Sequence, residues 1–124
     1  ISNTHWDREW RFSFEETRLR LVEVLDKLLD IFKSDPEFKH YHFDSQTIAI
    51  EDYLEVRPER KEELEKAVNS GKLLIGPWYS LPDEFMVSGE SLVRNLLIGH
   101  NVAEKLGKVM KVGYNPFSFC GQNS

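Results

Sequence analysis

Apolar residues recur at helical spacing over one long run early in the chain. Leu21, Leu25, Leu28 and Phe32 fall on one face, and Val22 and Leu29 widen the stripe. That is the pattern of a helix with one buried side. Arg18, Arg20, Glu23, Asp26, Lys27 and Asp30 occupy the other faces. Ser13-Phe14-Glu15-Glu16 forms a capping box at the start, with Glu three residues after the N-cap Ser. Ser34-Asp35-Pro36 ends the run, because a residue before proline avoids the helical conformation.

Further along, short apolar runs alternate with helical ones. His40-Tyr41-His42-Phe43 and residues 72–76 read as strands, Ile1 to Thr4 as the end of another, and residues 109–113 as the start of a fourth. Between them lie a short helix through Ile48, Tyr53 and Leu54, and a helix over residues 59–69 behind Pro58, with Gly71 as its stop. A third, capped by Ser88, carries Leu92, Val93, Leu96, Leu97 and Ala103 and closes at Gly107. The order β-α-β-α-β-α-β predicts an α/β fold class, a parallel sheet with right-handed crossovers. Residues 1–124 show no linker, repeat or low-complexity tract, so they form one unit.

In such a sheet the carboxyl ends of the strands share one edge, where open α/β folds and barrels place their sites. His5, Asp7 and Trp10 reach that edge first, then Asp44 and Gln46, then Trp78, Asp83 and Glu84, then Tyr114. His5 and Asp7 are two residues apart, so an extended backbone turns both to one side. Both residue types ligate zinc, although a zinc site takes three or four ligands. On its own the pair reads equally as an Asp capping the next turn beside a half-buried His. Trp10 adds a flat apolar face.

His40 and His42 alternate on one strand face, flanking Tyr41, and read as strand residues rather than ligands. His100 sits with Leu96 and Leu97 on a helix and is structural. Asp83 and Glu84 fit an acid/base pair or a helix cap. Trp78 and Tyr79 fit a pocket wall or the core. Cys120 has no His near it in sequence and is incidental.

Composition narrows the class. Hydrophobic residues make up 40%, which excludes a disordered tail. Net charge is −5 with no basic run, which excludes nucleic acid as a partner. No apolar stretch is long enough to span a membrane. A single Cys forms no internal disulfide, in keeping with a cytoplasmic location. The chain opens at Ile1 without Met inside a strand, so residues upstream are expected. Four strands do not close a barrel, and open edges favour a homo-oligomer.

His5-Trp6-Asp7-Arg8-Glu9-Trp10 resembles the signature that opens the catalytic domain of glycoside hydrolase family 38, the zinc-dependent α-mannosidases. Asp44-Ser45-Gln46, Gly76-Pro77-Trp78-Tyr79 with Pro82-Asp83-Glu84, and Ser88-Gly89-Glu90-Ser91-Leu92-Val93-Arg94-Asn95 follow in matching order and context. The resemblance implies the first half of a seven-stranded β/α barrel and a retaining enzyme acting on terminal α-mannosyl residues. It implies His5 and Asp7 as zinc ligands and Trp10 against the sugar of an α-mannoside or mannose-containing oligosaccharide. In the family a further His ligand and the acid/base carboxylate come from much later in a longer chain. The family's nucleophile Asp follows the fourth strand, in a segment close to Gly-Tyr-x-Pro-Asp. Here that segment is Gly113-Tyr114-Asn115-Pro116-Phe117, so Phe117 stands at the nucleophile position and no catalytic residue is assigned. The chain alone is therefore expected to be inactive. Two other readings stay open: a metal-dependent carbohydrate deacetylase on a similar barrel, and a non-catalytic carbohydrate-binding or interaction remnant.

Overall fold

The capping box forms as written. Ser13 Oγ accepts from the Glu16 amide while the Glu16 carboxylate accepts from the Ser13 amide, and helix α1 runs from there over Phe14–Ser34. In this computed structural model residues 1–116 are described. The remaining elements are strand β1 (Ser2–Asn3), strand β2 (Tyr41–His42), helix α2 (Ile48–Val56), helix α3 (Lys61–Asn69), strand β3 (Leu73–Leu74) and helix α4 (Gly89–Leu106). A 3-10 turn at Pro58–Arg60 leads into α3.

The sheet is parallel, in the order β1-β2-β3. Ser2 pairs with Tyr41 and Tyr41 with Leu73; Asn3 pairs with His42 and His42 with Leu74. The helices bury their apolar stripes against it. Leu21, Leu25 and Leu29 of α1, Ile50 and Tyr53 of α2, and Leu64 and Val68 of α3 are buried with Phe43 and Ile75 in one core. Each such side chain contributes about 1.5–3 kcal/mol by leaving water. The Tyr53 hydroxyl, at the rim of the core, donates to Asp26 of α1 at 2.7 Å.

Residues 109–113 do not form the expected fourth strand. The Met110 amide donates to Ile75 O at 2.9 Å, and no further ladder bond follows among the described residues. The two-residue β3 offers a short template, and a single bond does not hold an apolar segment in register. Val112 lies exposed just beyond it. The described residues therefore make a mixed α/β unit with three parallel strands and four α-helices. None of these helices is long and apolar enough to cross a membrane.

Helix α4 lies against the segment that leaves β3. Gly99 makes the contact: a Cβ there would sit 2.2 Å from Pro77 O and 2.4 Å from the Trp78 carbonyl carbon. One turn earlier, Asn95 Oδ1 accepts from the amides of Tyr79 and Ser80 at 2.7 and 3.2 Å, and its Nδ2 donates to Ser80 O at 2.7 Å. The loop after β3 is thereby fixed to the helix that follows it.

Candidate active site

Three loops leave the carboxyl ends of β1, β2 and β3 and meet. The first carries His5, Asp7 and Trp10. Arg8 anchors it: Nε and Nη2 donate to the two oxygens of Asp52 at 2.7 and 3.0 Å. Asp52 is buried in α2. Hydrogen bonding to Asp52 raises the guanidinium's pKa further above its ordinary value. The guanidinium carbon also lies 4.3 Å from the centre of the Phe14 ring.

The second loop starts with Asp44 and Ser45, both at positive φ (47° and 60°). Asp is among the few residues that visit this region readily. The turn buries the Asp44 side chain completely. Its Oδ2 accepts from the Trp6 amide at 2.9 Å and from Gln46 Nε2 at 2.7 Å. Gln46 Nε2 also donates to Trp6 O at 2.9 Å, and its Oε1 accepts from the Leu81 amide at 3.1 Å. One side chain therefore ties all three loops together. The Trp78 amide adds a main-chain link by donating to Ser45 O at 3.0 Å.

His5 sits between two carboxylates. Its Nδ1 is 2.8 Å from Asp44 Oδ2, and its Nε2 is 3.0 Å from Asp7 Oδ1. The expected convergence of His5 and Asp7 is present in the geometry. The Nε2–Asp7 contact is a hydrogen bond, whereas Nδ1 and Asp44 Oδ2 meet only at ion-pair distance; an imidazole nitrogen beside a carboxylate is a donor pair that suits zinc. Among the described residues no group of three or more His, Cys, Asp or Glu side chains could hold a metal ion. Asp44 lies on the opposite ring nitrogen and cannot share a cation with Nε2.

The pair opens on a cleft of about 740 Å³ between the first and third loops. Trp10 lines it while leaving 72% of its surface in solvent. Arg8, Gln46, Ile48, Pro82 and Asp83 are also on its wall. Asp83 does not cap a helix; Ser88 does that for α4, its hydroxyl accepting from the Ser91 amide. Asp83 lines the cleft instead, with Oδ1 buried and unbonded. Trp78 is buried and Tyr79 packs on the core, so of their two readings the core is the one they occupy. His40 Nδ1 lies 2.9 Å from Gly71 O, and His100 Nδ1 lies 2.8 Å from Leu96 O. Both serve the fold. Phe117 and Cys120 lie outside the described residues.

His42 is buried, with Nε2 2.9 Å from Ser45 Oγ and its ring set edge-on to Tyr114 at 4.7 Å between centroids. Burial lowers its pKa, against a smaller opposing pull from Asp44. The unfolded chain then binds a proton at higher pH than the folded one. Stability should be full above about pH 6.5, the ordinary imidazole value, and should fall as pH drops from there through the lowered value. Urea midpoints measured on either side of this window should differ for the native chain. They should differ less for His42→Gln.

Sequence reasoning placed His5, Asp7 and Trp10 at one locus. It did not find the Arg8–Asp52 pair, the burial of Asp44 or the bridging role of Gln46. The Asp44-Ser45 turn was the available signal, since Asp tolerates positive φ.

Comparison with known proteins follows the same outline. Residues 1–123 match the model of the glycosyl hydrolases family 38 N-terminal domain. A putative mannosylglycerate hydrolase from Halalkalibacterium halodurans is 48% identical over 96% of this chain, which spans 13% of that protein. An alpha-mannosidase from Enterococcus faecalis V583 of known structure is 52% identical, with a TM-score of 0.90 over 94% of this chain and 13% of its own. A second Enterococcus faecalis structure, described as a protein in the glycosyl hydrolase family 38, is 49% identical with a TM-score of 0.85 over 94% of this chain and 14% of its own.

Proposed function

Because the chain belongs to glycosyl hydrolase family 38, we propose that it contributes the opening part of a zinc-dependent, retaining α-mannosidase site. In this reading the three parallel strands are the first strands of a β/α barrel, and their loops form part of the pocket floor. The observation that carries it is the His5 Nε2–Asp7 Oδ1 pair, 3.0 Å apart at the carboxyl edge of the sheet and open to a sugar-sized cleft. His5 and Asp7 hold the zinc. When bound, the ion supplies a Lewis acid that orients sugar hydroxyls and favours a flattened ring. Trp10 offers its exposed ring to the apolar face of a terminal mannosyl residue. Arg8 and Gln46 hold the loops in place, and the substrate is an α-mannoside.

A retaining glycosidase needs two carboxyl groups roughly 5 Å apart, one to attack the anomeric carbon and one to donate a proton. In this reading the first would sit where Phe117 stands and the second belongs to a part of the domain this chain does not span. The chain should therefore bind zinc weakly and leave an aryl α-mannoside intact. Calorimetric zinc titration should show weak uptake that His5→Ala removes, and an assay with added zinc should show no release of the aryl group. Turnover abolished by His5→Ala would contradict the division of the site. Unchanged zinc uptake in His5→Ala would contradict the ligand assignment.

A further inference from the structure

We infer that Arg11 and Arg20 form an anion-binding subsite beside the His5–Asp7 pair, so that the α-mannoside taken here carries an acid group, a carboxylate or a phosphate. The inference rests on the α-mannosidase reading and narrows it to acidic substrates.

A second cavity, of about 160 Å³, adjoins the cleft. His5, Trp6 and Asp7 line both, so this stretch is a wall common to the two. Arg11, Phe12, Thr17 and Arg20 complete the lining of the smaller one. Two guanidiniums thus stand at one small cavity, in a chain whose net charge is −5. The acidic group on the same wall is Asp7, which is hydrogen-bonded with His5 Nε2 at 3.0 Å.

The partners of these two arginines set them apart. Arg8, Arg18, Arg57, Arg60 and Arg94 each hold a carboxylate at 3.0 Å or less. Arg11 and Arg20 form no ion pair and donate no hydrogen bond among the described residues. Each meets a ring instead. The Arg20 guanidinium carbon lies 4.1 Å from the centre of the Phe12 ring, and that of Arg11 lies 5.4 Å from the centre of the Trp10 ring. A ring steadies the guanidinium without supplying an oxygen acceptor. The fork of N–H groups is left for a carboxylate or a phosphate, whose geometry it fits. Sugar hydroxyls are poorer partners, since a hydrogen bond to an ionised acceptor is roughly twice as strong as a neutral one. Trp10 is also the ring set against the sugar in the α-mannosidase reading. With Arg11 over that ring, the charged cavity stands next to the bound mannoside.

The test has two arms. The first is run without metal, so that an acid has no zinc to bind. Glycolate or inorganic phosphate is titrated into the ¹⁵N-labelled chain at low ionic strength, and the arginine Nε–Hε signals are followed. Those of Arg11 and Arg20 should shift together and saturate, while those of Arg8 and Arg57, already held by carboxylates, stay in place. Added potassium chloride should reverse the shift. No saturable shift with either acid overturns the inference. The second arm, with zinc present, compares methyl, carboxymethyl and 2-phosphoethyl α-mannoside by titration calorimetry. An acid probe should bind about tenfold more tightly than methyl α-mannoside, and the tighter of the two identifies the group. Arg11→Gln combined with Arg20→Gln should remove that margin. Equal affinity for all three probes overturns the inference, as does a margin that the double variant keeps. Both residues are exposed, so the double variant should fold; if circular dichroism shows that it does not, the first arm decides alone. If no mannoside binds while the free acids still shift Arg11 and Arg20, the anion subsite stands and the α-mannosidase reading falls.

Discussion

Gly99→Ala should lower the stability of the fold by about 3 kcal/mol. The new methyl gains about 1 kcal/mol of helix propensity inside α4. It also meets Pro77 O at 2.2 Å, the Trp78 carbonyl carbon at 2.4 Å and the Tyr79 nitrogen at 2.5 Å. All three are backbone atoms, so no rotamer change relieves the clash. Either α4 withdraws or the loop after β3 moves. Withdrawal exposes the buried Val102 and Ala103 on the same helix; loop movement breaks the Asn95 bonds to Tyr79 and Ser80. The clash therefore outweighs the propensity gain, and thermal denaturation should begin roughly 10–15 °C lower. Gly89→Ala is the control. It lies in the first turn of the same helix with nothing within 4 Å of the added carbon, and should be neutral or mildly stabilising. Equal effects at the two positions would show that close contact is not what requires glycine at position 99.

Arg8→Met should cost a similar amount, about 3 kcal/mol. Most of that is the burden of leaving the Asp52 carboxylate, 7% exposed, without its two hydrogen bonds and its counter-charge. The double variant Arg8→Met with Asp52→Leu should recover most of the loss, since a buried ion pair exchanged for apolar groups is often close to neutral. Urea denaturation of the two single variants and the double variant completes the cycle. Additive losses would mean that the pair is not coupled. If the cycle closes as expected, the loop bearing His5 and Asp7 is held by a contact 44 positions away in sequence.

That separation explains what could and could not be read from the residues alone. The capping box at Ser13 and Glu16 is a local device, and α1 begins where it says. His5 and Asp7 are two residues apart, and a local rule of strand geometry brought them to one side. Arg8 with Asp52, and Gln46 with Trp6 and Leu81, obey no local rule. They exist because parallel strands and crossover helices bring distant loops to one edge, and nothing in the spacing marks which polar residues will meet there. The failed fourth strand has the same origin. Residues 109–113 carry a strand's composition, but a strand exists only through its partner, and β3 offers Met110 a single bond.

The side chain at position 46 also limits what sequence change the site can absorb. Its nitrogen donates to Trp6 O and Asp44 Oδ2, and its oxygen accepts from the Leu81 amide. Glutamate matches its shape but has no hydrogens to give; lysine has hydrogens but cannot accept; asparagine carries the same amide on a stem one carbon shorter. Histidine offers one donor and one acceptor, so only the glutamine amide gives two donors and an acceptor at that reach. Any substitution at position 46 therefore leaves at least one of these three bonds unmade, and the bonds to Trp6 and Leu81 are the ones that join the second loop to the first and the third.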